Sequence, residues 1–202
     1  VPPEDRRRRR SRRLLSEAFV ALVLERGFAA VKVEDIAERA DVGRATFYTH
    51  YTDKDALFDE IVTDLVGRMQ ERLEPTLVAS AEGFTGKPVL ELFRHAAEER
   101  DAYRILLRGE GDGRALRRFV EDRTGAAAEI FEARAAANGT TLRIDGRVLA
   151  RAWVGEMLAV MEWWLESEDR MSPEDVTAML LNLSLRGRYW ASGFDGEPQL
   201  HP

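Results

Sequence analysis

Residues 33–58 read VEDIAERADVGRATFYTHYTDKDALF. Val33, Ile36, Ala37 and Ala40 recur at the spacing of one helical face, so residues 33–40 read as a short helix. Asp41-Val42-Gly43 is a tight connection. Residues 44–48 form a further helix of little more than a turn, extendable to His50. Thr52 or Asp53 caps the next helix, in which Leu57, Phe58, Ile61, Leu65 and Met69 keep a helical period; Pro75 ends or bends it within a few residues. Upstream, Ser11 can cap a helix starting at Arg12 and Arg13, with Leu15, Phe19, Leu22 and Val23 as its apolar stripe and Gly27 as its stop. A short helix, a three-residue turn and a second short helix make the helix-turn-helix plan.

In that plan the second helix enters the major groove of DNA with its N-terminal residues near the base edges. Its outer face must be small or polar and its inner face apolar. Arg44, Ala45, Thr46 and Thr49 suit the outside, while Val42 and Phe47 turn inward against Ile36 and Leu22. Arg44 can reach a phosphate or lie bidentate on guanine, Thr46 can meet a base edge or a phosphate, and Ala45 permits close approach. Tyr48 and His50 join apolar bodies to polar tips, which suits phosphate contact. Lys54 stands at the start of the following helix, where a cation is mildly unfavourable unless an anion is present. Lys32, Val33 and Gly43, which flank the two short helices, complete the expected DNA-facing set. Tyr51 reads as core.

Charge agrees with this orientation. The chain of 202 residues has a net charge of -6. Residues 1–57 nevertheless carry +2 and the remainder -8, so a basic end sits on an acidic body. The arm EDRRRRRSRR, with Arg8, Arg9, Arg10 and Arg12, is the concentrated part. Cysteine is absent, which excludes disulfides and thiolate chemistry and fits the reducing cytoplasm. No apolar run approaches the length of a membrane span. The opening VPPEDRRRRR lacks the apolar stretch of a secretory signal.

The rest of the chain reads helical: 87–100, 102–108, 114–137, 146–166 and 173–191, with a strong break at GEGDG, residues 109–113. Ser172-Pro173 is a well-formed helix start. The fold class is all-α. Residues 1–10 are expected to be a disordered basic arm, 11–54 the helix-turn-helix domain, 55–195 a larger helical domain and 196–202 a disordered tail.

Residues 33–58 closely resemble the DNA-binding signature of the TetR family of bacterial transcriptional regulators. The shared features are the IAxxA second helix, the short turn, the FYxHY run, and a Lys followed three residues later by Leu; the Gly27-Phe28 turn also matches. The resemblance covers about residues 12–58. It implies a homodimeric all-helical regulator, usually a repressor, released from a palindromic operator by a small molecule in the larger domain. It also implies groove contact at Arg44, Ala45 and Thr46, phosphate contact at Tyr48, His50 and Lys54, and DNA contact by the arginine arm. Three positions depart from the family pattern: Lys32 where Thr or Ser is common, Asp41 where Gly is common, and Gly43 where Ser usually caps the reading helix. These put the operator sequence in doubt rather than DNA binding.

In the larger domain, Trp153, Met157, Met161 and Trp164 form one stripe, which with Phe93, His95, Tyr103, Leu107 and Phe131 is the expected lining of a site for a bulky apolar or aromatic effector. Plain core packing accounts for the same stripe. In the family the last two long helices form the dimer interface, which selects Val148, Ala152, Gly155 and Ala159 on one, and Val176, Met179, Leu180, Leu183 and Gly187 on the other. Three scattered histidines and no cysteine give no metal site, no cofactor is expected, and GEGDG lacks the Lys-Ser/Thr of a phosphate loop. An activator or corepressor-dependent regulator, a helical protein-interaction module, and a helical enzyme stay open as rivals.

Overall fold

The structure is a computed structural model of the chain, and it describes residues 3–79, 86–168 and 171–192. Every regular element among them is helical. The helices are α1 (Pro3–Arg26), α2 (Val33–Arg39), α3 (Arg44–His50), α4 (Lys54–Ala79), α5 (Lys87–Glu98), α6 (Arg100–Leu107), α7 (Arg114–Ala137), α8 (Gly146–Glu166) and α9 (Pro173–Ala191), with a 3₁₀ turn at Phe28–Ala30. The chain forms two compact units: residues 1–71 with 99–119, and residues 72–98 with 120–202. Helices α4 and α7 therefore contribute to both. The tail expected at 196–202 lies outside the described residues.

One element differs from the sequence reading. Helix α1 begins at Pro3 rather than at Ser11, so the arginines expected in a disordered arm are helical. Helix α4 is described as far as Ala79, four residues past Pro75, within the few residues expected.

The first unit closes around a core that includes Leu15, Phe19, Leu22, Ile36, Phe47 and Leu57. Phe19, Phe28 and Phe58 form an aromatic triangle with ring centroids 5.7–5.9 Å apart, the spacing at which offset and edge-on rings attract. Ile105 of α6 belongs to this core. The loop after α6 is tied to it too, since the Phe28 N–H donates to the Glu110 carboxylate at 2.9 Å. Gly111, at φ 79°, lies where an added Cβ would stand 3.7 Å from the Phe58 ring, so the loop needs glycine for its left-handed backbone and gains a close approach.

The second unit packs α5, α8 and α9 together. Phe93 and Trp164 lie with ring centroids 5.5 Å apart, and the Trp164 indole N–H donates to the Met171 carbonyl at 3.0 Å. Arg94 joins α5 to Glu174 of α9 at 2.8 Å and to Glu91 at 2.7 Å. Arg72 holds Glu91 at 3.0 Å and Glu98 at 2.5 Å.

Candidate nucleic-acid interface

Helix α3 has two faces because of its residue order. Phe47 is fully buried and Tyr51, at the C-cap, is buried, whereas Arg44, Ala45, Tyr48 and Thr49 are exposed. Tyr48 is 57% exposed yet keeps edge contact with the Phe47 ring at 5.5 Å, so its phenol is held outward from a packed base. Thr46 is half-buried; its carbonyl accepts from the Thr49 hydroxyl at 2.6 Å. Gly43 is the N-cap at φ -62°, ψ 142°, with no side-chain cap. The α3 start is thus open, its amide hydrogens uncovered by protein side chains. Asp41 makes the preceding turn at φ 51°, the left-handed region that Asp tolerates better than most residues.

Lys32 caps α2 only in part. Its side chain accepts nothing, but its N–H donates to the Asp35 carboxylate at 2.9 Å, the reciprocal half of a capping box. The Lys32 side chain is exposed, while Val33 is half-buried and packs on the core. Arg44 pairs with Glu34 of α2 at 3.2 Å, an exposed contact that a phosphate or guanine could displace. Arg8, Arg9 and Arg10 are exposed on α1. His50 is half-buried and its pKa is lowered, first by burial and then by Arg8 and Arg12.

Two expected DNA contacts have other work in the structure. The Lys54 ammonium donates to the carbonyls of Phe28 at 2.7 Å and Val31 at 2.8 Å, and it lies 4.3 Å from the Phe28 ring centroid. It ties the turn between α1 and α2 to the start of α4. The Arg12 guanidinium holds Glu60 of α4 through contacts of 2.7 and 2.9 Å, and the Tyr51 hydroxyl donates to the same carboxylate at 2.5 Å. This group links α1, the end of α3, and α4. Burial first, then the bond to Glu60, pushes the Tyr51 phenol up to about 12.

In the second unit, a cavity of about 80 Å³ is lined by Leu77, Gly86, Pro88, Val89, Ala127, Ile130, Phe131, Arg134 and Trp153. Of the expected effector-site residues, Phe131 and Trp153 line it. Phe93, His95, Met157, Met161 and Trp164 are buried in the same unit without lining it, and Tyr103 and Leu107 are buried in the first unit. Ala127, Ile130, Phe131 and Arg134 share one face of α7 by their spacing, a signal that an alanine-rich helix conceals. Among the expected interface residues, Val148, Ala152, Gly155, Ala159 and Met179 are exposed and Leu183 is half-buried. Val176 and Leu180 are corrected: each is 1% exposed and belongs to the core of the unit, because α9 turns its apolar stripe toward its own chain. Gly187 interrupts α9 with a left-handed backbone at φ 82°. No group of three or more His, Cys, Asp or Glu among the described residues could hold a metal, and no described helix is long and apolar enough to cross a membrane.

Residues 15–61 match the model for bacterial regulatory proteins of the tetR family. The chain is 34% identical over 70 residues, 33% of its length, to the HTH-type transcriptional regulator YhgD of Bacillus subtilis (strain 168), covering 37% of that protein. It is 30% identical over 66 residues, 33% of its length, to the HTH-type transcriptional repressor DhaR of Mycobacterium sp. (strain GP1), covering 33% of it. The match thus spans about a third of the length of these relatives. The fold extends over nearly the whole chain: the fatty acid degradation regulator FadR from Bacillus halodurans superposes with a TM-score of 0.71 at 16% identity, over 88% of this chain and 96% of that one.

Proposed function

We propose that this chain, which belongs to the TetR family of bacterial regulatory proteins, is a homodimeric repressor that grips a palindromic operator and is released by a small molecule. One observation carries the reading of the first unit. Helix α3 offers Arg44, Ala45, Tyr48 and Thr49 to solvent from a base fixed by Phe47 and Tyr51. That is the division of labour a major-groove helix needs. Lys32 and the exposed arginines of α1 extend the same basic end and would contact phosphates. The sense of regulation follows DhaR, the relative named as a repressor. The chain would act in the cytoplasm, where its DNA is.

Effector binding is assigned to the second unit. The cavity beside Phe131 and Trp153 holds about 80 Å³, far below the roughly 300 Å³ of ordinary small-molecule sites. A bulky apolar or aromatic effector therefore enters by displacing those side chains. Because α4 and α7 contribute to both units, an effector that favours one of two arrangements changes operator affinity without touching DNA.

Titration of the full chain against labelled duplexes at a series of salt concentrations tests this. Binding that weakens with a slope of about -0.9 per neutralised phosphate, and that differs between duplex sequences at fixed salt, supports the reading. Affinity indifferent to both salt and sequence contradicts it.

A further inference from the structure

The cavity of about 80 Å³ in the second unit has an apolar wall that carries one charge. Leu77 of α4, Val89 of α5, Ile130 and Phe131 of α7 and Trp153 of α8 supply the apolar part. Arg134 of α7 is the charged residue among the described lining. Solvation does not account for its place. Glu132 and Ala133 beside it are exposed, whereas Arg134 is half-buried and its Nε is buried. It continues the helical spacing of Ile130 and Phe131 and stands on the face that α7 turns to the cavity.

The hydrogen-bonding capacity of the wall is one-sided. Among the described lining side chains only Arg134 and Trp153 carry polar groups, a guanidinium and an indole N–H. Both donate and neither accepts. The chain beyond residue 57 has a net charge of -8, yet no described carboxylate lines this cavity. A cationic ligand therefore finds no side-chain acceptor there, while an anion finds two donors. The N-terminal end of α5 borders the same space through Pro88 and Val89, and the partial positive charge of a helix start favours the same sign of ligand.

We infer that the effector is an apolar acid, with an aliphatic or aromatic body against Phe131 and Trp153 and a carboxylate on Arg134. The inference rests on the effector site proposed above and names its ligand class. A guanidinium presents parallel N–H groups in the geometry of a carboxylate, and charge-assisted bonds of this kind are the strong ones. One guanidinium balances one negative charge. A carboxylate meets that condition, whereas a phosphate monoester brings about -1.5 to -2 at pH 7 into a wall that is otherwise apolar.

Calorimetry of the full chain with octanoate, 4-phenylbutyrate and the primary amide of each tests this. The amide keeps the shape of the acid and loses its charge. Each acid is expected to bind at least about tenfold tighter than its amide, and the two acids compared with each other separate an aliphatic from an aromatic preference. Arg134→Gln is expected to bring acid and amide to similar affinity, and Arg134→Lys to keep part of the difference. An amide that binds the unmodified chain as tightly as its acid, or an advantage of the acid that survives Arg134→Gln, overturns the acid assignment and leaves the effector site standing. Ala127→Phe fills the cavity and is expected to abolish binding of all these ligands. Acids that bind Ala127→Phe as tightly as the unmodified chain overturn the effector site itself. Failure of every one of them to bind the unmodified chain, or a bound acid that leaves duplex affinity unchanged, overturns the inference.

Discussion

The Lys54 ammonium stands 2.7 Å from the Phe28 carbonyl and 2.8 Å from that of Val31, over the Phe28 ring. A residue that resemblance places on phosphate is thus a clamp inside the protein. Lys54→Met leaves two carbonyls without this donor and is expected to cost about 1–3 kcal/mol in chemical denaturation. A lysine whose main role is a phosphate contact instead lowers the salt slope of DNA binding by about one at unchanged stability, and that result contradicts the clamp.

The buried Tyr51 hydroxyl gives a pH signature. Its folded pKa, about 12, lies above the usual phenol value of about 10. The protonated phenol therefore favours the folded state, and its contribution is full below pH about 10 and is lost as pH rises toward 12. Tyr51→Phe is expected to destabilise by about 1 kcal/mol at pH 7 and to lose stability less steeply above pH 10. Parallel stability curves for the two proteins in that range count against the assignment.

The turn between α2 and α3 can be improved. Asp41 adopts φ 51°, and Asp41→Gly relieves a backbone cost of up to about 1 kcal/mol. At Gly43 an added Cβ stands 3.8 Å from the Thr46 hydroxyl, so Gly43→Ser fits and supplies the missing cap, worth a few tenths of a kcal/mol. Both substitutions are expected to raise the thermal midpoint; a fall for either shows that the residue serves packing or binding instead.

Arg44 is held by Glu34 at 3.2 Å, on the face assigned to DNA. Glu34→Gln frees the guanidinium and removes a negative charge from that face, so affinity is expected to rise for all duplexes. Arg44→Ala is expected to cost about 1–3 kcal/mol on the preferred sequence and to relax preference at one base position. Equal loss on every sequence makes Arg44 a phosphate contact only.

The fold was largely legible because its signals are local. The stripe Val33, Ile36, Ala37 and Ala40 predicts α2, the break at residues 109–113 predicts the start of α7, and Ser172-Pro173 marks α9; the structure places helices at each. What escaped depends on residues distant in sequence. Lys54 meets Phe28 and Val31 across 26 and 23 positions, and Glu110 meets Phe28 across 82; no periodicity announces such pairs. The α9 stripe of Val176 and Leu180 was visible as a face, but a face alone does not say whether its own chain or another copy covers it. For the same reason the stripe from Trp153 to Trp164 reads equally as core or as pocket. The arginine run misled because its charge hides the helix start at Pro3.

Selection of bound duplexes from a random library at fixed salt tests the central claim most directly. The account predicts enrichment of an inverted repeat whose half-sites lie about one helical turn of DNA apart, or a multiple of it. No enriched sequence, with weak binding that vanishes as salt is added, would reduce the interaction to the general attraction of the α1 arginines and contradict the assignment of α3 as a reading helix.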